Sequence, residues 1–231
     1  MRAVRALAAV TGDDPSVRLH LRKGIPVAGG CAGGSTDAAA ALVAADALWG
    51  AGLSRDELAE IAAGLGSDVS FCLHGGTALG TGRGEVLTPV LGHGSYSWVL
   101  AAQPDELSTP AIYAELDRQR ASGPVRVVSD PAQVLSALRS ADPVALGRAL
   151  ANDLQPAALA LLPRLGEVLT TARSLGALGA LVSGSGPTVA LLARDAAAAA
   201  ALASAVAARD VAACVLPADG PVPGARVVEA R

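Results

Sequence analysis

Residues 26–37 read Pro26, Val27, Ala28, Gly29, Gly30, Cys31, Ala32, Gly33, Gly34, Ser35, Thr36 and Asp37, and run straight into an alanine-rich, helix-like stretch ending at Trp49. Four glycines among small neighbours let the backbone turn sharply and come close to a ligand, so that successive N–H groups converge on one anion. A helix beginning where the loop ends adds its own unpaired N–H groups and the positive end of its dipole. The expected chemistry is phosphate binding by residues 26–36, with the Ser35 hydroxyl also in reach of a hydrated Mg²⁺. Ser35, Thr36 and Asp37 are helix-opening residue types, so Asp37 reads either as a cap or as a metal contact. The plainer alternative is a glycine-rich connection between a strand and a helix.

Two better-known phosphate loops are excluded. Gly34 stands where GxxxxGK[ST] requires lysine, and residues 29–34 lack the GxGxxG spacing and an acidic residue after a second strand about 20 residues on. Asp68 follows the Gly64-Leu65-Gly66 break, where a turn would present its carboxylate to a substrate hydroxyl as orienting group or base; the alternative is an Asp capping its own backbone. A second glycine-rich turn, Ser183-Gly184-Ser185-Gly186, offers amides to a transferring group. His74, beside Gly75 and Gly76, reads as a strand-end structural residue rather than a base. Asn152-Asp153 either contacts substrate or begins a turn.

The elements that must position these groups follow from periodicity and punctuation. Residues 16–21 alternate as a strand leading to the loop. A helix over residues 36–49 stops at Gly50, and Ser54 with Glu57 three residues on predicts a capping box for a helix to about Ala63. Residues 77–79 and 86–90 read as strands around a turn at 80–84, and 98–102 as a buried strand. A helix is expected over 111–120, Pro124, Pro131 and Pro143 punctuate further helices, and Asp142 caps the one begun by Pro143. Residues 166–175 read as helix, 180–182 and 189–192 as strands flanking the second glycine turn, 194–209 as an alanine-rich surface helix, and 211–215 as a last strand completing a β-α-β-like half. A composition shift at residues 93–95 places a domain boundary, giving 1–93 and 94–231.

Composition narrows the function classes. The 231 residues are 52% hydrophobic, mostly alanine, leucine and valine, with five aromatics, enough to bury one large core or two smaller ones. No apolar run reaches a membrane span free of charge or proline, and no secretory-type leader is evident. With net charge −3 and eighteen scattered basic residues, nucleic acid is not an expected partner. Cys31, Cys72 and Cys214 lack CxxC spacing, so neither a disulfide framework nor a zinc site is expected, in keeping with a reducing cytoplasm.

Taken with its flanks, the segment from Lys23 to Ala39 resembles the ATP-binding segment of the GHMP kinases, the small-molecule kinases that include galactokinase, homoserine kinase and mevalonate kinase. Residues 65–71 resemble the segment carrying that family's catalytic aspartate, which falls on Asp68. His74-Gly75-Gly76-Thr77-Ala78 and Gly82-Arg83-Gly84-Glu85 continue the pattern. Asn152-Asp153-Leu154 and residues 183–188 resemble the later motifs, the second being the turn that closes over the phosphates.

The resemblance implies an α+β two-domain fold, with a ribosomal-protein-S5-like N-terminal domain and a ferredoxin-like C-terminal domain. It implies ATP and Mg²⁺, a small-molecule acceptor, no nucleic acid or membrane partner, a cytoplasmic monomer or homodimer, and a substrate-proximal residue at Thr109. Within the family the wording is most similar to the branch that phosphorylates the 2-hydroxyl of 4-diphosphocytidyl-2-C-methyl-D-erythritol (CDP-methylerythritol) in the non-mevalonate isoprenoid pathway. Another GHMP kinase with a different hydroxyl acceptor is the second expectation, and a catalytically impaired nucleotide-binding fragment the third. Cys31 and Cys72 replace more usual apolar or aromatic residues and read as packing thiols, and Ser70 stands where proline is common. The family also begins with a Pro-x-Lys-x-Asn strand and a Gly-Tyr-His segment that have no counterpart here, Lys23 being the single lysine. The N-terminal domain is therefore expected to be incomplete, through a late-assigned start or a real truncation.

Overall fold

The computed structural model describes residues 1–25, 30–123 and 130–228. Pro26, Val27, Ala28 and Gly29 of the expected phosphate loop, and Pro124, lie outside the described residues. The chain divides into two compact units. The first comprises the described residues of 1–27, 32–90 and 221–231, the second those of 28–31 and 91–220.

The first unit is mainly helical. Helix α1 (Arg2–Thr11) buries Ala3, Val4, Leu7 and Ala8 on one stripe and ends at Gly12, whose left-handed φ of 81° lets its N–H reach Ala8 O. Helix α2 (Gly33–Trp49) ends in the same way at Gly50. Helix α3 (Arg55–Ala63) opens with the expected capping box: Ser54 accepts from Glu57 N, while the Glu57 carboxylate accepts from Ser54 N at 2.8 Å. Helix α4 (Ser67–His74) follows after a three-residue break. Leu7, Leu42 and Leu73 are fully buried, and these helices share one apolar cluster. Strands β1 (Ala78–Thr81) and β2 (Val86–Pro89) form a two-stranded antiparallel hairpin.

Residues 16–21 are not a strand. Val17 and Leu19 do pack against the cluster while Ser16, Arg18 and His20 are exposed, so the side chains alternate as expected. No partner strand lies alongside among the described residues, and without a ladder the segment is only extended chain.

In the second unit, β3 (Tyr96–Ala102) is the centre of a four-stranded antiparallel sheet of order β4-β5-β3-β6, with β4 (Gly179–Val182), β5 (Val189–Leu192) and β6 (Cys214–Gly220). Between β3 and β4 come α5 (Thr109–Ser122), α6 (Pro131–Ser140), α7 (Pro143–Ala149), α8 (Gln155–Leu161) and α9 (Arg164–Ser174), and α10 (Ala196–Ala207) joins β5 to β6. Strands β5 and β6 both pair with β3 rather than with each other. The expected β-α-β-like half is thus a split β-α-β unit, the ferredoxin-like arrangement. The last strand lies three residues later than expected because Cys214 to Gly220 match the full length of β3. Asp142 accepts from Val144 N and Ala145 N ahead of Pro143, and Asp195 caps α10 through Ala198 N. The alanine-rich helix presses Ala199, Leu202 and Val206 into the core beneath the sheet.

The C-terminal segment returns to the first unit, a pairing that local sequence patterns do not signal. Gly76 N donates to Val222 O, Ala225 N donates to Cys72 O, and Gly75 bridges Pro223. Only glycine fits at Gly224, where a Cβ would lie 1.9 Å from Leu73 O. The segment's Ala225 N–H thus serves a carbonyl at the C-terminal end of α4, where carbonyls lack helical partners.

Candidate active site

Among the described residues nothing caps the N-terminus of α2. Its N-cap, Ala32, is left-handed (φ 51°) and offers no side-chain cap. The helical ladder begins with Thr36 N donating to Ala32 O at 2.9 Å, which leaves the amides of Gly33, Gly34 and Ser35 ahead of it. Unpaired N–H groups and the dipole favour an anion there. Gly33 is closely packed: a Cβ would lie 3.2 Å from Ile25 Cγ2, so that side chain would have to give by a few tenths of an ångström.

Two expectations at this helix are corrected. The helix starts at Gly33 rather than Thr36, and neither Thr36 nor Asp37 caps it. Thr36 Oγ1 donates back to Ala32 O at 3.0 Å, and Asp37, inside the helix, is ion-paired with Lys23 Nζ. That pair was absent from the sequence reading because 14 residues separate its members. Lys23 Nζ lies 3.8 Å from the point a Gly33 Cβ would occupy, so the chain's single lysine sits beside that helix end. A cavity of about 620 Å³ adjoins it, lined by Gly34, Ser35, Asp37, Arg2, Leu19 and Val69 among others.

Asp68 lies in the first turn of α4 rather than in a turn between elements. The glycines that suggested a break end α3 and leave Gly66 as the N-cap of a new helix. Asp68 is exposed while Val69 and Ser70 behind it are buried. Cys72, one turn on, shares a face with Asp68, and its sulfur lies 3.5 Å from Thr36 Oγ1. The face of α4 that carries Asp68 therefore meets the first turn of α2. Burial chiefly pushes the Cys72 thiol up; the Thr36 hydrogen bond opposes this and the nearby Asp68 carboxylate adds to it. His74 closes the helix, its Nδ1 3.0 Å from Ser70 O and its Nε2 3.8 Å from Asp56 Oδ1. Six positions from Asp68, it lies on a different face of α4.

In the second unit the Ser183 to Gly186 turn joins β4 to β5. Gly184 (φ 55°) and Gly186 (φ 81°) are left-handed, Gly186 N donates to Ser183 O at 2.8 Å, and Ser183 N to Thr188 O at 2.8 Å. Among the described residues the amides of Gly184 and Ser185 donate to no acceptor, leaving two successive N–H groups for an anion. Gly30 lies against this turn: Ser183 Oγ donates to Gly30 O at 3.2 Å, and a Cβ on Gly30 would come within 2.5 Å of Gly186 O. The structure thus brings one residue of the first glycine-rich segment onto the second. Thr109 Oγ1 lies 2.9 Å from Ser185 Oγ. Asn152 is turned toward the turn's backbone.

Residues 1–76 match the profile of the GHMP kinases N terminal domain and residues 134–212 that of the GHMP kinases C terminal. The chain belongs to the GHMP kinases. It is 58% identical over 229 residues to the 4-diphosphocytidyl-2-C-methyl-D-erythritol kinase of Salinispora tropica, covering 98% of this chain and 73% of that protein. It is 54% identical over 228 residues to the kinase of the same name from Nocardia farcinica, covering 99% and 74%. A crystal structure of 4-(cytidine 5'-diphospho)-2C-methyl-D-erythritol kinase superposes with a TM-score of 0.77 at 32% identity, over 94% of this chain and 76% of that one. The L. major mevalonate kinase in complex with R-mevalonate superposes with a TM-score of 0.75 at 20% identity, covering 97% of this chain and 76% of that one, which speaks for the fold alone.

Both expected halves of the α+β GHMP fold are therefore present. GHMP kinases take their phosphoryl group from ATP and pass it to small molecules. No helix among the described residues is long and apolar enough to cross a membrane.

Proposed function

We propose that the chain transfers the γ-phosphoryl group of ATP to the 2-hydroxyl of 4-diphosphocytidyl-2-C-methyl-D-erythritol, giving the 2-phosphate and ADP within the non-mevalonate isoprenoid pathway. The observation that carries this is identity of 58% to a 4-diphosphocytidyl-2-C-methyl-D-erythritol kinase across 98% of the chain.

Phosphoryl transfer needs held phosphates, neutralised charge and an oriented nucleophile more than covalent help from the protein. The amides of residues 33–35 at the N-terminus of α2 bind phosphate oxygens, with residues 26–32 of the loop and Thr36 in the same role. In the second unit, the Gly184 and Ser185 amides bind phosphate oxygens and Ser183 and Gly186 shape the turn. Asp68 accepts a hydrogen bond from the acceptor hydroxyl, orienting it and taking its proton as the phosphoryl group transfers. Thr109 lies near the acceptor.

Among the described residues no group of three or more His, Cys, Asp or Glu side chains is arranged to hold a metal ion. A Mg²⁺ arriving with the nucleotide would be held on the protein side by the Ser35 hydroxyl. The ion supplies charge neutralisation at the β- and γ-phosphates when bound.

The reading includes an ATP-binding domain in residues 1–93 and a C-terminal domain in 94–231, a cytoplasmic location, and a monomer or homodimer. An acceptor panel tests the substrate. ADP release is expected with 4-diphosphocytidyl-2-C-methyl-D-erythritol and not with homoserine, mevalonate or galactose. Turnover of one of the latter alone would place the chain elsewhere in the family, and ATP binding without turnover of any acceptor would make it a nucleotide-binding protein.

A further inference from the structure

The Asn152 side chain lies 30 residues from Val182 in sequence, yet its Nδ2 donates to Val182 O at 2.8 Å and to Gly184 O at 2.7 Å, while its Oδ1 accepts from Leu154 N at 2.9 Å. Both amide hydrogens and the oxygen are thereby engaged inside the protein. Three residues on, Gln155 Oε1 accepts from Val182 N at 2.9 Å. The loop before α8 and its first residue thus grip the strand that enters the second glycine-rich turn from both backbone polarities.

The consequence for the turn follows from peptide geometry. In a trans peptide, the C=O of one residue and the N–H of the next point in opposite directions. Holding Gly184 O toward Asn152 forces Ser185 N–H to point away from Asn152, and this is one of the two amides with no acceptor among the described residues. Gly184, at φ 55°, has no Cβ to bias the rotation of that peptide. An external clamp must therefore set its plane.

We infer that Asn152 is a positioning residue that fixes the Gly184–Ser185 peptide plane so that Ser185 N–H is presented to phosphate, with Gln155 anchoring the strand behind it. The phosphate part of this inference rests on the kinase reading above; the clamp itself does not. It also assigns Asn152 away from the substrate contact that the sequence left open.

The test uses the whole chain with Asn152→Ala and Asn152→Asp, read by amide hydrogen exchange, ATP affinity by calorimetry, and steady-state kinetics. Asn152→Asp retains the acceptor for Leu154 N but, ionised, has no hydrogen to donate to the two carbonyls. Both variants should speed exchange in peptides covering residues 183–188 about ten- to hundredfold, the scale of one to two lost hydrogen bonds. Exchange in β3 should stay as in wild type. Dissociation constant and KM for ATP should rise about ten- to hundredfold in both, with KM for the acceptor changed less than threefold.

Unchanged exchange at the turn, faster exchange in β3 equal to that in the turn, or recovery of wild-type ATP affinity by Asn152→Asp would overturn the positioning role. If wild type itself fails to bind ATP while the turn still loosens in both variants, the kinase reading falls and the clamp stands.

Discussion

An alanine in place of Gly30 would need space that backbone atoms already occupy. Its Cβ would lie 2.5 Å from Gly186 O, 2.8 Å from Gly186 C and 3.1 Å from Ser183 O, none of which can rotate aside. Reaching even 3.0 Å, the limit that real Cβ atoms respect, moves residue 30 about 0.5 Å off the turn; backbone shifts of this kind cost roughly 1–3 kcal/mol. The left-handed φ of 68° adds ~1–2 kcal/mol for a residue with a Cβ. Parting the two segments relieves the contact at the expense of the Ser183 Oγ to Gly30 O hydrogen bond, worth about 1 kcal/mol. A net bias of about 2 kcal/mol against the apposed arrangement lowers apparent ATP affinity roughly thirtyfold, because ATP must first restore it. Gly30 contributes nothing to either apolar cluster, so the melting temperature should fall by only a few degrees. Calorimetric titration with ATP checks this, and wild-type affinity in Gly30→Ala would refute a need for the packing of Gly30 on the 183–186 turn in phosphate binding.

Gly224→Ala should expel the C-terminal segment from the end of α4, since its Cβ falls 1.9 Å from Leu73 O. A loss of about 1–3 kcal/mol is expected by denaturant titration, against no change for Gly220→Ala, which meets nothing within 4 Å. Glu115 is held down to about 2 by its hydrogen bonds from Arg118 and then Gln119. A depressed carboxylate adds stability above its unfolded value of 4.5 and loses it as pH falls toward 2. The melting-temperature gap between wild type and Glu115→Gln should therefore be present at pH 6 and vanish near pH 2. Burial raises the Cys72 thiol, so iodoacetamide should modify it at pH 8 more slowly than an unstructured cysteine peptide, as peptide mass spectrometry would show.

Local signals gave a good account of local structure. The Ser54–Glu57 box, Asp142 before Pro143 and the strand at residues 189–192 sit where side-chain chemistry and alternation placed them. Extended conformation at residues 16–21 was legible, but strand formation needs a partner, which alternation alone does not report. Asp68 is exposed, yet the glycines before it mark a helix boundary rather than an isolated turn. What stayed illegible was long-range: Lys23 with Asp37, Asn152 with Val182 and Gly184, and residues 221–225 with α4. Each depends on which backbone or charge the fold brings alongside, and the residue types involved are equally at home on a solvated surface.

The central claim is tested most directly by ADP release from ATP, Mg²⁺ and 4-diphosphocytidyl-2-C-methyl-D-erythritol, measured for the chain and for Asp68→Asn. The account predicts acceptor-dependent ADP release by the chain and a loss of about 10²–10⁴-fold in kcat for the variant, with ATP affinity retained. Equal turnover by both proteins would remove Asp68 from the chemistry, and no acceptor-dependent release from the wild-type chain would contradict the proposed activity itself.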